Sequence, residues 1–427
     1  MRSSFSYNPK SHQPDRPKSK FRRNMLLLRH GKSHLNSFYN FLRGLPKTLY
    51  IYKKSLKGLY AVPYDMPAGF CLSTGNEPEI LEKIKPDILE LRPDSLLLRI
   101  PVWTLDDLGS SLRFAADMAN SGIEIIINII QGQDSAFNLD KWQADLDKIF
   151  FSFSPLCNFF IIGHAFNRIK WGIPSADHYM KLFERAVMLK NEKYSHISLV
   201  GPSVIDFEYI HTLGMLNQRQ RPAFDMVNQL LYVDRRGAPE NTQNGFDLAH
   251  KCLLFRSIID ATLGAEIPFW ITEANYPLLV EEEEYCPTSR KEAVDEEHYA
   301  SYMVRYYIIA ICSGCARRVY WWQAAAHGYG LIDNLGEVWR RRKAYYAFMF
   351  MRSVLKDSVF TYKIMNKDYC LFRFRLKDDS VVSVAWALGN DCGIEIGLPV
   401  SQACDIAGNP SCMKDMVLSH SPLYIFH

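Results

Sequence analysis

The chain has 427 residues, 48% apolar and 22% charged, with a net charge of +4. This is ordinary for a soluble globular protein, and the length allows one large domain plus a smaller one. The charge is uneven: residues 1–58 carry 14 Lys/Arg against one acid, Asp15, which leaves −9 on the remainder, so the main body has no reason to bind nucleic acid.

Residues 1–24 are rich in Ser, Pro, Lys and Arg, a composition that predicts disorder. Residues 25–60 mix Phe38, Tyr39, Phe41, Leu42, Leu45, Leu49, Tyr50 and Tyr52 with Arg43, Lys47, Lys53, Lys54 and Lys57. Two readings stay open for this basic head (1–60): an amphipathic segment lying on an anionic membrane surface, or a solvated leader.

From Gly69 short apolar runs alternate with amphipathic stretches, the pattern of repeated βα units. Strands are predicted at Gly69–Ser73, Ser95–Val102, Ile123–Ile130, Asn158–Gly163, His196–Gly201, Asn228–Val233, Pro268–Glu273 and Arg318–Gln323. Helices are expected after each of most of them, the last near Trp339–Leu355. Eight such units predict an α/β fold, a (β/α)8 TIM barrel, over 61–356. A doubly wound sheet is the competitor, but Ser73-Thr74-Gly75-Asn76 lacks the Gly-rich phosphate turn. Beyond Leu355 the runs Val359–Ile364, Cys370–Leu376, Val381–Ala387 and Gly393–Leu398 carry turn signals between them and no helical pattern, which predicts a small C-terminal β-sandwich over 357–427.

The ten cysteines are scattered, as suits reduced, buried thiols in a cytoplasmic protein. Cys312 and Cys315 form a C-x-x-C pair, but no second pair or His pair follows at zinc spacing, so no metal or cofactor is assigned. No secretory signal is recognised, and no apolar run reaches the ~20 residues needed to span a bilayer. The expected location is the cytoplasm, with a peripheral place at the inner membrane surface if the head binds lipid.

The stretch Pro268–Leu278 is where chemistry is expected, because an apolar strand ends in a carboxylate, Glu273, and barrel active sites lie at strand ends. Arg99 sits between Leu98 and Ile100 inside the second strand, where it can hold a carboxylate ionised. The high aromatic content, 13%, fits either a packed core or sugar-binding platforms.

Arg99-Ile100-Pro101-Val102, Trp270-Ile271-Thr272-Glu273, Tyr320-Trp321-Trp322 and Asp405-Ile406-Ala407-Gly408-Asn409-Pro410 together resemble the large clan of retaining glycoside hydrolases built on (β/α)8 barrels. The β-xylosidase-like branch with a C-terminal β-domain is the nearest in texture. The resemblance covers residues 69–427. It implies that Glu273 is the nucleophile, that Arg99 and Tyr232 orient it, and that Trp321 or Trp322 floors the sugar site, one facing in and the other out. Tyr232–Asn241 and the run from Tyr320 to Asp333 resemble glycosidase-like proteins of lipopolysaccharide-core assembly, which implies a cell-surface glycan as partner.

The fourth strand departs from the clan pattern Gly-Asn-Glu-Pro-Asn, reading Gly163-His164-Ala165-Phe166-Asn167. The acid/base Glu becomes Ala165, while Asn167 survives as a candidate sugar ligand. Retaining hydrolysis uses two carboxyl groups about 5–5.5 Å apart, and loss of general acid–base help costs on the order of 10²–10⁴-fold. Candidate stand-ins are His164, Asp206, Glu208, Asp234, Glu240 and His327. His164 can titrate near neutrality, although a hydrogen-bonded structural His at a strand end is an equal reading. The loops 234–241 and 326–333 follow barrel strands and rim the expected mouth, so Arg235, Arg236 and His327 are candidate ligands of an anionic sugar. Two functions follow: a glycosidase with a non-standard acid, or a catalytically inactive barrel that binds glycan.

Overall fold

The computed structural model describes residues 7–8, 10, 12–14, 25, 28–233, 237–285, 293–411 and 416–427. Eight parallel strands close into a barrel: β1 (Phe70–Thr74), β2 (Ser95–Pro101), β3 (Glu124–Ile130), β4 (Phe159–Ile162), β5 (Ser198–Ile205), β6 (Met226–Leu230), β7 (Phe269–Ala274) and β8 (Arg318–Trp321), with β8 pairing back onto β1. Helix α1 (Gly31–Ser55) precedes the barrel. The outer ring is α2 (Pro78–Leu91), α3 (Gly109–Asn120), α4 (Leu139–Phe153), α5 (Ala176–Lys193), α6 (Tyr209–Leu216), α7 (Leu248–Thr262), α8 (Glu296–Cys312) and α9 (Lys343–Leu355), one after each strand.

The strands read as near-continuous apolar runs because both faces are covered. Alternation divides them. Cys71, Leu97, Ile126, Ile161, Val200, Trp270 and Tyr320 point inward and fill the barrel as one cluster. Phe70, Leu72, Leu96, Leu98, Ile125, Ile127, Phe160, Ile271 and Val319 point outward to the helices. Above the inner layer the interior turns polar. Asn228 donates from Nδ2 to Thr272 Oγ1 at 2.7 Å and to Ser203 Oγ at 3.0 Å, joining β5, β6 and β7 beneath the mouth.

After the barrel, β9 (Val359–Met365), β10 (Tyr369–Arg375), β11 (Val381–Ala387), β12 (Gln402–Cys404) and β13 (Leu423–Phe426) form an antiparallel sheet in the order β12-β13-β11-β10-β9. The sixth strand, at the edge beside β9, is Tyr64–Asp65. One face, with Cys370, Phe372, Phe374, Val382, Val384 and Trp386, joins the main core. The other packs Leu371, Ala385, Ala387 and Ile425 under a two-stranded ribbon, Cys392–Gly393 with Val417–Leu418. The expected sandwich is thus one full sheet with a ribbon for its second layer. The expected boundary at residue 61 also shifts, because Tyr64–Asp65 belongs to this sheet.

A buried ion pair fastens the sheet to the barrel. Arg305 of α8 donates from Nε to Glu240 Oε1 at 3.0 Å, and Trp386 of β11 donates to the same oxygen at 2.6 Å. Glu240, a candidate acid on sequence grounds, is therefore an internal joint rather than a group of the mouth.

Within the basic head, helix α1 is docked on the barrel's outer helices. On α1, Asn40, Phe41, Gly44 and Thr48 are buried against α6 and α7. Lys47 Nζ donates to the Ala261 carbonyl at 2.6 Å, and Asn217 Nδ2 to the Asn40 carbonyl at 2.8 Å. The approach is close: a Cβ on Gly214 would lie 2.4 Å from the Ser37 carbonyl oxygen, and one on Gly44 2.8 Å from Asn217 Nδ2. Among the described residues, no helix is long and apolar enough to cross a membrane.

Candidate active site

Glu273 lies at the end of β7. Trp270 points inward, and so does Thr272, so strict alternation would turn Glu273 outward to the helices. The β7–β8 ladder shifts register between Ile271 and Ala274. An irregularity of this kind re-aims a side chain, and here Glu273 faces the barrel mouth while Ala274 returns to the outer core.

Both carboxylate oxygens are held. Arg99 Nη2 donates to Oε2 and the Tyr232 hydroxyl donates to Oε1. Side chains of Glu273 and Arg99 are each only 6% exposed, so the pair is well shielded from water. Arg99 in turn stacks on Trp322, its guanidinium carbon 3.3 Å from the ring centroid. Trp322 is oriented from below by Asn275, which donates from Nδ2 to its carbonyl at 2.7 Å. Tyr232 lies just beyond β6, not inside it as the sequence predicts, which lets its hydroxyl swing over the strand ends.

His164 follows β4, and its Nε2 is 3.7 Å from Glu273 Oε2. Its backbone is clamped by Gln131, which accepts from the His164 amide at 2.8 Å and donates to the His164 carbonyl at 3.0 Å. Its ring stands edge-on to Trp171, 4.4 Å between centroids. Burial first, then the charges of Arg99 and Lys170, push the imidazole well below its ordinary value. His164 is therefore neutral at pH 7. It can share a hydrogen bond, but it is not a charged acid poised over the leaving group. Ala165, at the clan's acid/base position, is fully buried with φ +44° and belongs to a cluster with Ile130 and Trp171.

Other candidates divide plainly. Trp321 points away from the mouth: its Nε1 donates to the Tyr299 hydroxyl at 2.7 Å and its ring packs among Tyr276, Tyr306 and Tyr307 on the helix side. It is a core residue, and Trp322 alone of the pair belongs to the site. Asn167 accepts from the Ile205 amide and donates to the Ile205 carbonyl, both at 3.0 Å, so it staples two loops instead of facing a sugar. Asp206 and Glu208 are both taken by Arg168 at 2.7 Å. His327 is held between Asp333 at 2.7 Å and Glu282 at 2.9 Å on the rim. Asp234, Arg235 and Arg236 lie outside the described residues.

Four residues at the mouth had no assignment from sequence: Tyr7, His12, Glu77 and Gln323. His12 is buried, with Nδ1 3.1 Å from Glu77 Oε1 and Nε2 3.0 Å from Gln323 Nε2. Burial pushes the Glu77 carboxyl up, but the His12 bond and charge, its own amide and Arg99 outweigh it and hold Glu77 below the usual carboxylate range. Tyr7 packs its ring 5.2 Å from Trp103 and against the Ala165 cluster. A lone Tyr and a lone His in a polar leader carry no periodic signal, so nothing in the sequence could have marked them.

The scan against family models finds no match, and neither does the search of curated proteins. Solved structures do match. A family 39 glycoside hydrolase from the gut symbiont Bacteroides cellulosilyticus superposes with TM-score 0.66 at 13% identity, covering 86% of this chain and 83% of that one. A family 39 β-xylosidase from Caulobacter crescentus gives 0.59 at 12% identity over 86% and 97%. A family 30 xylanase from Clostridium acetobutylicum gives 0.57 at 11% identity over 85% and 96%. At these identities the likeness is one of fold, over more than four-fifths of this chain.

Proposed function

We propose that this chain is a glycan-active barrel of the retaining glycoside hydrolase type. The observation that carries the reading is a strand-end carboxylate, Glu273, fixed through both oxygens by Arg99 and Tyr232 beside the Trp322 ring. In this reading Glu273 attacks the anomeric carbon, the bond to the leaving oxygen breaks, and water later releases the sugar. The leaving oxygen needs a proton, and neutral His164 is a weak source of one. The activity is therefore expected on glycosides whose leaving groups depart unprotonated, with natural linkages slower by on the order of 10²–10⁴-fold. A cell-surface glycan such as lipopolysaccharide is the substrate class we assign, on the likeness of the loops after β6 and β8.

A panel of activated aryl glycosides tests this. Turnover that vanishes in Glu273→Gln supports the nucleophile; turnover that persists there removes it. Ala165 favours a second reading, a catalytically inactive barrel that holds glycan. Sugar binding by titration with no turnover on any panel member would decide for it.

We also place the protein at an anionic membrane surface. Helix α1 has a second apolar face: Leu35, Phe38, Tyr39, Leu42, Leu49 and Tyr50 are exposed, beside exposed Lys32, Lys47, Lys53, Lys54 and Lys57. Aromatic and aliphatic side chains set among lysines suit the boundary of acidic headgroups and acyl chains. Because the opposite face of α1 covers α6 and α7, deleting the helix would expose the barrel. The cleaner test replaces Leu35, Tyr39, Leu42 and Tyr50 by Ser. Loss of co-sedimentation with phosphatidylglycerol vesicles is expected, and unchanged sedimentation would remove the membrane assignment.

A further inference from the structure

The residues that make the candidate site are closed off by the chain's own N-terminus. Tyr7–Asn8 and Gln13–Pro14 pair as a short antiparallel ladder, Tyr7 with Pro14 and Asn8 with Gln13. This small hairpin spans the mouth between several strand ends. Tyr7 rests on Trp103, past the end of β2, and on Ala165 and Trp171, past β4. Gln13 accepts from Lys170 Nζ, also past β4. His12 reaches the other side, bonding Glu77 past β1 and Gln323 past β8, with its ring edge toward Trp322 at 5.9 Å and Tyr329 at 6.2 Å. Lys10 pairs with Glu284 and lies 5.1 Å from the Tyr285 ring on the loop after β7.

These contacts differ from the way a leader lies on a surface. His12 is 5% exposed, and it adopts φ +50°, a left-handed backbone that non-glycine residues rarely hold without surrounding contacts to fix it. The Tyr7 phenol is pushed up by burial and senses Arg99, Glu77 and Glu273. Beside the hairpin a cleft of about 390 Å³ remains, walled by Tyr7, Glu77, Trp103, Thr104 and Asp106. It is of ligand-binding size, and Tyr7 forms one of its walls.

We propose that residues 7–8, 10 and 12–14 form an intramolecular strap that occupies the glycan site, and that a sugar reaches Glu273 and Trp322 only after the strap lifts. The strap is built to lift. Its ladder is two residues long, far below what holds a hairpin on its own. Its polar anchors include the His12–Glu77 pair, the His12–Gln323 contact and two Lys contacts, and its aromatic ones are Tyr7 on Trp103 and His12 edge-on to Trp322 and Tyr329. When it leaves, the Tyr7 wall goes with it and the lateral cleft joins the mouth as one groove. A site that is open for only a fraction of the time binds its ligand more weakly by that fraction, so loosening the strap raises apparent affinity.

The proposal rests on Glu273 marking the ligand site, so its test must not depend on turnover. Hydroxyl-radical footprinting of the full chain is compared with a Tyr7→Ala/His12→Ala double variant, reading oxidation of Trp103, Trp322 and Tyr329 by mass spectrometry. A rise of roughly threefold or more at Trp322 and Tyr329, which are 5% and 1% exposed, and a smaller one at Trp103, already 38% exposed, with Trp142 and Trp386 in the core unchanged, is expected of a strap. Adding a synthetic peptide of residues 1–14 to the variant should restore protection. Equal labelling in both proteins overturns the proposal, as does a rise at Trp142 and Trp386 of the same size, which would mean general loosening. The aryl glycoside panel is then run on both. Faster turnover in the variant, by roughly tenfold or more, supports strap and hydrolase together. Exposed tryptophans with no turnover anywhere would support the strap and count against the hydrolase reading alone.

Discussion

Replacing His164 by Asn removes one titrating group from the floor of the site, and the consequence for stability has a definite sign. In the unfolded chain this imidazole takes a proton near its ordinary value of 6.5, whereas burial and the charges of Arg99 and Lys170 hold it neutral in the fold. The unfolded state therefore binds more protons as pH falls below 6.5. Stability is fully present above that value and is lost as pH drops from it toward the folded value. For one proton, the loss between about pH 7 and about pH 5.5 is on the order of 1 kcal/mol. His164→Asn cannot show this loss. Its absolute stability falls too, since the ring contact with Trp171 goes, but the quantity to compare is the slope. Urea unfolding followed by tryptophan fluorescence at a series of pH values gives both slopes, and the wild-type curve should fall more steeply by about that amount. Equal slopes would refute the reasoning. A steeper fall in the variant would show His164 protonated in the fold, paired with Glu273, and would restore it as a charged acid.

Three further outcomes follow from the packing. Glu240→Gln leaves Arg305 buried without its carboxylate and should cost about 3–5 kcal/mol, read as a lowered urea midpoint; lost turnover at unchanged stability would instead return Glu240 to the list of acids. Gly214→Ala should destabilise by about 1–3 kcal/mol despite the better helix propensity of Ala, because the new methyl meets the Ser37 carbonyl; a more stable variant in thermal melts would show that α1 is not docked there. Trp321→Phe should cost about 1–3 kcal/mol, since the Tyr299 hydroxyl loses the indole donor while keeping its own bond to the Tyr329 carbonyl, and leave glycan binding unchanged, while Trp322→Ala should weaken binding in titration; the reverse pattern would exchange their roles.

The barrel was legible because its signal is local. Ile123–Ile130 is an almost unbroken β-branched run, and only a strand covered on both faces tolerates that. Six of the eight predicted strands fall within two residues of the observed bounds at their starts and ends; β6 stops at Leu230, three residues before the expected Val233, and β5 runs on to Ile205, through Pro202, where a Gly-Pro pair reads as a stop. Helix α6 escaped notice because Tyr209–Leu216 is short and apolar nearly all round, with no polar face to set a period. The strand beside β9 is two residues long and belongs to a sheet that begins almost 300 positions later, a pairing that no local pattern encodes.

The site was legible in part for the same reason. Glu273, Arg99 and Tyr232 stand at or near strand ends, and strand ends can be read. Choosing between Trp321 and Trp322 needed the facing of Tyr320, because a period of two says only that neighbours oppose each other. The register shift that turns Glu273 inward had no marker at all, since strict alternation from Trp270 points the other way. His327 looks like a ligand by residue type, yet Glu282 of the loop after β7 and Asp333 of its own loop take its two ring nitrogens, so its fate is decided by tertiary structure.

The missing acid and the strap bear on the same small volume. Ala165 sits in a left-handed backbone, fully buried, with Trp171 and Ile130 on one side and the Tyr7 ring against the cluster. A glutamate there would have to place a carboxyl group among aromatic and aliphatic carbons with no water to solvate it, at a cost of several kcal/mol unless it stayed protonated. The strap and an ionised acid/base residue are thus alternatives for one volume. While Tyr7 is in place, small and apolar is the side chain that position 165 can carry without strain. Seen this way, Ala165 does not by itself mark decay of an enzyme. It is also what a barrel requires if its resting state keeps its own N-terminus in the sugar site, and the behaviour of the opened protein is what separates the two.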